Sequence, residues 1–179
     1  MQIKVLDFNN REHFEFINYL INYNAKEFLN DDITGQMMID KFANSKEPIF
    51  IVYVNNKPYG IAYVETASCK NCILHACCGK ERNFFTNIKI GKAFIKYLFD
   101  TVKVNKIKLE ILVYDTNTEF VARCLGFKKE GVLRAEIYKN GKPQNMILLA
   151  LTKDDYLKNK HLMSRKDIKK IGSLVYGQR

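Results

Sequence analysis

The sequence predicts an α/β domain, and three observations carry that prediction. Segments with strand-like alternation and segments with a helical apolar period follow one another through residues 1–152 in the order β-α-α-β-β-β-α-β-α-β-β. Two stretches, Asn55-Asn56-Lys57-Pro58 and Asn140-Gly141-Lys142-Pro143, lie between apolar runs and read as hairpin turns. No internal repeat, low-complexity tract or linker interrupts that region. A chain of 179 residues suits one domain with a short appendage. We place the domain at residues 1–156 and a basic extension at 157–179.

The elements are justified in turn. Gln2 to Phe8 alternates Ile3 and Val5 with Lys4 and Asp7, as a first strand does. Asn9-Asn10 can cap a helix starting near Arg11, with Phe14, Ile17, Tyr19, Leu20 and Ile21 as its apolar face. A second helix is expected around Asp32 to Phe42, burying Met37, Met38 and Phe42. Pro48–Asn55 and Tyr59–Ala67 are strands, and Asn71–Cys78 is a third. After a loop, Gly79 to Asn83, a long helix is expected from Phe84 to Val104. Phe94, Tyr97, Leu98 and Thr101 form its inner face, and Lys92, Lys96 and Lys103 lie outside. Lys106–Tyr114 is the next strand. A short helix follows, with Val121, Ala122, Cys124 and Leu125 as its stripe. Gly126 stands where a left-handed helix stop is expected, with Phe127 packing back. Val132, Leu133 and Ile137 belong to one final strand and Met146 to Leu151 to the other. The tail suggests short helical pieces at Asp154–Asn159 and Arg165–Ile171.

Composition narrows the class. With 47% hydrophobic and 27% charged residues the chain is that of a globular protein. No run approaches the ~18 apolar residues of a membrane span, so no membrane partner is expected. The start, MQIKVLDFNNREHF, lacks a signal-peptide layout, which points to a cytoplasmic protein with reduced thiols. The formal net charge is +10, and about half of that excess lies after Thr152. Such a surface can serve phosphates, non-specific nucleic-acid contacts or an acidic protein partner; a merely solvated lysine-rich surface is the plainer alternative. The tail likewise reads as a solvated extension, as an arm docking onto a protein assembly, or as a nucleic-acid contact.

The stretch Asp115–Thr152 carries a resemblance. Its Gly126-Phe127, Glu130-Gly131, Arg134, Gly141 and Leu148-Leu149-Ala150-Leu151 resemble the C-terminal half of the GNAT superfamily of N-acetyltransferases, nearest the branch that acetylates protein N-termini, ribosomal proteins among them. The element order of residues 1–152 is similar to that fold as well. The resemblance implies an acyl-CoA N-acyltransferase fold: a mixed, mostly antiparallel sheet with helices on both faces. It implies acetyl-CoA as cofactor and, as acceptor, an amine on a protein N-terminus, a lysine or a small molecule. Similar small proteins are encoded by bacteriophages, and the Asn-, Lys- and Ile-rich composition is compatible with that origin, in which case a virion is a second location. The alternative function is a catalytically silent domain of this fold, built into a larger assembly through its basic tail.

The site residues follow residue by residue. The family binds pyrophosphate with Arg/Gln-x-x-Gly-x-Gly/Ala at a helix start, where backbone N–H groups face the anion. Gly91 and Ala93 match its last two positions, and Ile88 stands where Arg or Gln is expected. The backbone from Asn87 to Lys92, with Lys89 and Lys92 as cations, is the expected pyrophosphate site; close helix packing is the other reading of Gly91. Asp115 occupies the position of a family Asn, with Asn117 as the nearest asparagine. Ala122 occupies that of the Tyr which protonates the departing thiolate. A base must take the proton of the acceptor amine, and Glu65 and His75 are the candidates; polar side chains on a sheet surface are the plainer reading. Cys69-x-x-Cys72-x-x-His75-x-Cys77-Cys78 contains half of a zinc motif. Alternation sends Cys72 and Cys78 to one face and His75 and Cys77 to the other, so ordinary thiols and no metal are expected.

Overall fold

The computed structural model describes residues 1–28, 31–68, 70–80 and 83–159. Seven strands form one sheet: β1 (Gln2–Val5), β2 (Ile49–Val54), β3 (Lys57–Ser68), β4 (Asn71–Cys78), β5 (Lys106–Leu112), β6 (Lys128–Lys139) and β7 (Lys142–Thr152). Their order is β1-β2-β3-β4-β5-β7-β6. Every neighbouring pair is antiparallel except β4 and β5, which run parallel. The mixed, mostly antiparallel expectation holds.

The parallel pair is joined by a crossover helix, α3 (Phe84–Tyr97), continued by a π-helical turn over Leu98–Val102. α1 (Arg11–Phe28) and α2 (Gly35–Ala43) precede β2, α4 (Thr116–Cys124) follows β5, and α5 (Lys153–Asn159) follows β7. Strand alternation divides the core in two. Ile51 and Ile61 pack with Ile17, Leu20, Ile39 and Phe42 under α1 and α2. Val52, Ala62, Cys72, Leu74, Ile107 and Leu149 pack with Ile95, Leu98, Phe99 and Cys124 under α3 and α4. Helices therefore cover both faces.

Turn chemistry explains the connections. Asn55 and Asn56 take positive φ (51° and 60°), as do Asn140 and Gly141 (52° and 69°). This is the two-residue geometry whose twist matches the strands it joins. Gly126 (φ 93°) ends α4, and the Phe127 N–H donates back to Ala122 O at 3.1 Å while its ring is buried. Asn10 Oδ1 accepts from the His13 N–H at 3.3 Å at the start of α1, as expected of a cap.

Helix faces needed correction. The buried stripe of α1 is His13, Ile17, Leu20, Ile21 and Asn24, whereas Phe14 and Tyr19 stay exposed. Those spacings of three and four residues give one continuous face, and Phe14 and Tyr19 fall beside it. In α2 the buried residues are Ile39 and Phe42, and Met37 points outward. In α3 and its π-turn Ile95 and Phe99 join Phe94 and Leu98 in the core, while Tyr97 is exposed and Thr101 lies on the surface. The helix stops at Lys103, which is left-handed (φ 66°), just before the expected Val104. α5 runs past the expected domain boundary at residue 156, and Tyr156 stacks on Phe99 with ring centroids 4.8 Å apart. The suggested helix at Arg165–Ile171 lies outside the described residues, as does Cys69. Among the described residues no helix is long and apolar enough to cross a membrane.

Candidate active site

The sheet opens between β4 and β5. Their ladder pairs Asn71 with Lys106, Cys72 with Ile107 and Ile73 with Lys108, and ends there. Yet β4 runs on to Cys78 and β5 to Leu112. Beyond Ile73 the two strands diverge, and their edge-facing backbone groups no longer serve each other. Continuing the register puts His75 and Glu110 opposite one another across the opening. Both lie on the face that carries α1 and α2, because Ile107 and Ile111 on alternate positions face α3.

His75 pairs with Tyr63 on β3, and Glu65 pairs with Ile73. This diagonal brings Glu65 Oε2 to 3.4 Å from His75 Nε2. Nε2 is sealed from solvent and meets no acceptor in hydrogen-bonding geometry, so Glu65 is its close charged neighbour rather than a hydrogen-bond acceptor. The Tyr63 ring lies against the imidazole, centroids 4.4 Å apart and planes 8° apart. Burial pulls the His75 pKa below its ordinary 6.5; Glu65 opposes this and Lys41 on α2 adds to it. The ring is therefore neutral near pH 7 and able to accept a proton. Burial and the Glu65 charge push the Tyr63 phenol up to about 12.

Glu110 was not among the sequence candidates. Burial first, then the charges of Glu136 and Glu65, push its carboxyl up, against the pull of Lys108. Its signal was a lone carboxylate in Lys106–Leu112, alternating against Ile107, Leu109 and Ile111. That pattern fixes the face but not the neighbour. Glu65, His75 and Glu110 thus stand in a row over the opening.

The predicted pyrophosphate segment is wholly helical. α3 begins at Phe84, so Asn87, Ile88, Lys89, Gly91, Lys92 and Ala93 occupy its first three turns. The Asn83 side chain accepts from the Thr86 N–H at 3.0 Å, and the Asn87 N–H donates to Asn83 O at 2.9 Å. Ile88 is buried in the core, and a Cβ on Gly91 would stand 2.4 Å from Leu125 Cδ1. These two positions are therefore explained by packing of α3 on the sheet and on α4. Lys89 is exposed, and Lys92 and Ala93 are half-buried.

The start of α3 is tied to β3 instead. Tyr59 OH donates to Asn87 Oδ1 at 2.7 Å and accepts from the Asn83 N–H at 2.9 Å. Tyr19 OH on α1 accepts from the Lys80 N–H at 3.3 Å. Neither tyrosine was legible as a site residue, since each acts on a segment distant in sequence.

Asp115 caps α4: its Oδ1 accepts from the Thr118 N–H at 3.1 Å. Asn117 is exposed in the first turn of that helix, and Ala122 is buried against the core. Cys72 is buried in the core under α3, its thiol pushed up to about 11 by burial, and Cys77 packs on the opposite face. The described residues contain no group of three or more His, Cys, Asp or Glu able to hold a metal.

A CoA-type cofactor fits this arrangement in kind. The diverging strand edges offer amide partners to an amide-bearing arm. The N-terminal end of α3 and Lys89 offer positive potential to phosphates.

Solved structures share the architecture. The structure of spermidine N-acetyltransferase from Vibrio cholerae in complex with CoA and spermine superposes with a TM-score of 0.70 at 18% identity, covering 87% of this chain and 97% of that one. Ribosomal-protein-alanine N-acetyltransferase from Brucella melitensis gives 0.70 at 12% identity, covering 85% and 99%. At such identities the likeness establishes the fold, which is that of the GNAT acetyltransferases. The neighbours span different acceptors, so they select neither the protein-N-terminal branch nor a bacteriophage source. No protein-family model matches the chain, and no curated protein matches it by sequence.

Proposed function

We propose that the protein is an acetyl-CoA-dependent N-acetyltransferase whose acceptor is a positively charged amine. One observation carries the reading: the sheet of this fold opens at Ile73–Lys108, and a neutral imidazole and two carboxylates stand over that opening. The fold neighbours are named for amine acceptors, spermidine in one and a ribosomal-protein alanine in another, and one of them holds CoA. A polyamine, a protein N-terminus and a lysine side chain all carry the charge that Glu65 and Glu110 would attract. The fold match gives no support to the catalytically silent alternative.

Acetyl-CoA, when bound, supplies a thioester that an amine can attack without a protein nucleophile. The chain's part is binding and proton handling. The start of α3, held by Asn83 and Tyr59, and Lys89 would receive the phosphates. Glu110 would hold the acceptor cation at the opening. Glu65 and His75 would free the amine of its proton, because an ammonium ion has no lone pair for attack. With Ala122 in place of the family Tyr, the departing sulfur would take its proton from solvent.

Thermal unfolding with and without acetyl-CoA tests the proposal. A ligand that binds only the folded state raises the midpoint, by an amount equivalent to about 2.7 kcal/mol at 100-fold excess over Kd. No shift at millimolar acetyl-CoA would overturn the reading. Thiol release with spermidine, an alanine-terminated peptide and a lysine peptide then ranks the acceptors.

A further inference from the structure

We infer that Glu65 and His75 form one proton-accepting unit: Glu65 holds the imidazole in the tautomer protonated at Nε2, and Nδ1 is the atom that takes the proton of the acceptor amine. Its catalytic meaning rests on the acetyltransferase reading; the tautomer and the coupling do not.

The geometry separates the two nitrogens. Nε2 is sealed from solvent and has Glu65 Oε2 at 3.4 Å as its charged neighbour, while 31% of the His75 side chain stays exposed. Nδ1 makes no hydrogen bond with any described residue. The parallel Tyr63 ring, 4.4 Å away, limits the imidazole to two orientations related by a half-turn about the Cβ–Cγ bond. One half-turn would exchange Nε2 for carbon beside the carboxylate and lose the attraction. Glu65 therefore chooses between them, much as a carboxylate orients the imidazole of a hydrolase triad.

The surrounding charges act in definable directions. Glu65 on β3 favours the imidazolium, and Lys41 on α2 opposes it. Glu110 on β5 stands opposite by register, its own carboxyl pKa pushed up first by burial. Tyr63, with its raised pKa, remains a neutral phenol. An isolated His75 would be a poor proton acceptor, since burial disfavours its charged form. The carboxylate offsets part of that cost at the moment the proton arrives. The proton balance closes simply. The ammonium gives one proton to Nδ1, which later returns it to solvent; forming the amide releases a second proton to solvent, and the departing thiolate takes one up from there.

Nitrogen-detected NMR of the histidine rings in the free protein tests the unit without any acetyl donor. His75→Gln assigns the signals among the three histidines of the chain. The wild type should show the Nε2–H tautomer. Glu65→Gln should move the His75 midpoint down by about half a unit or more, and Lys41→Gln should move it up. Glu65→Asp should keep the tautomer with a smaller shift. An Nδ1–H tautomer in the wild type, or a Glu65→Gln midpoint that stays or rises, overturns the inference. Unchanged thermal midpoints in the variants show that folding is not the cause. Given an acceptor, Glu65→Gln should lower kcat about 10-fold or more. It should also move the acidic limb of the rate profile with the NMR midpoint. Correct NMR behaviour without acetyl transfer to any amine would leave the pair standing and sink the acetyltransferase reading instead.

Discussion

Gly91 shows how a residue type can suit two roles until its neighbours are known. As part of Gly-x-Ala it matches a phosphate motif, but its missing Cβ makes room for Leu125 Cδ1. Alanine there gains helix propensity, about 1 kcal/mol. It also presses a methyl against a buried leucine, which costs about 1–3 kcal/mol. Gly91→Ala should therefore lose up to about 2 kcal/mol in urea unfolding, and adding Leu125→Ala should make the pair less than additive. A variant more stable than the wild type would show that α3 and α4 have slack at this point. Ile88 teaches the same lesson: at the position of a family Arg or Gln it is 3% exposed, a core residue.

The helix caps hold the ends that border the opening. Asn83 caps α3 and Asp115 caps α4 through one side-chain oxygen each. Asn83→Ala and Asp115→Ala should each cost about 1 kcal/mol in chemical unfolding. They should differ in ligand response. Asn83→Ala keeps its backbone N–H on Tyr59 but loses the Oδ1 that accepts from the Thr86 N–H at the proposed phosphate end, so it loosens the start of α3 and should shrink the thermal shift given by acetyl-CoA. An undiminished shift for Asn83→Ala would move the phosphate site away from that helix end. Asp115→Ala with a diminished shift would support the cofactor role that the resemblance gives to Asp115.

Across the molecule, Asp31, just before α2, reaches the far edge of the sheet. The Asp31 N–H donates to Tyr138 O at 2.8 Å, and Asp31 Oδ2 accepts from the Gly141 N–H at 2.9 Å. That N–H, with lesser help from the Asn140 N–H and the charge of Lys139, holds the Asp31 carboxyl below its ordinary 3.8, against the opposing effect of desolvation. A folded pKa depressed in this way stabilises above the unfolded value and is lost as pH falls through the folded one. Asp31→Asn should therefore be less stable than the wild type at pH 6. The difference should shrink as pH drops below about 4, measured as thermal midpoints across the series. A constant difference would place the effect of Asp31 in its backbone bond alone.

The strands, turns and short α4 were readable because their causes are local. Asn55-Asn56 and Asn140-Gly141 accept positive φ, Gly126 stops a helix, and alternation marks each strand. The same locality made the Gly126-Phe127 to Leu151 landmarks point to the fold. Partnership across the sheet is a different matter. No residue near His75 in the chain reveals that Glu65 approaches from the diagonal of β3, or that Glu110 stands over the gap. The helix faces, too, were settled by which stripe met the sheet, which left Phe14, Tyr19 and Met37 outside. Local preference writes the elements into the chain. The site exists because β4 and β5 pair through three residues and then part, and only the packed sheet sets where they do so.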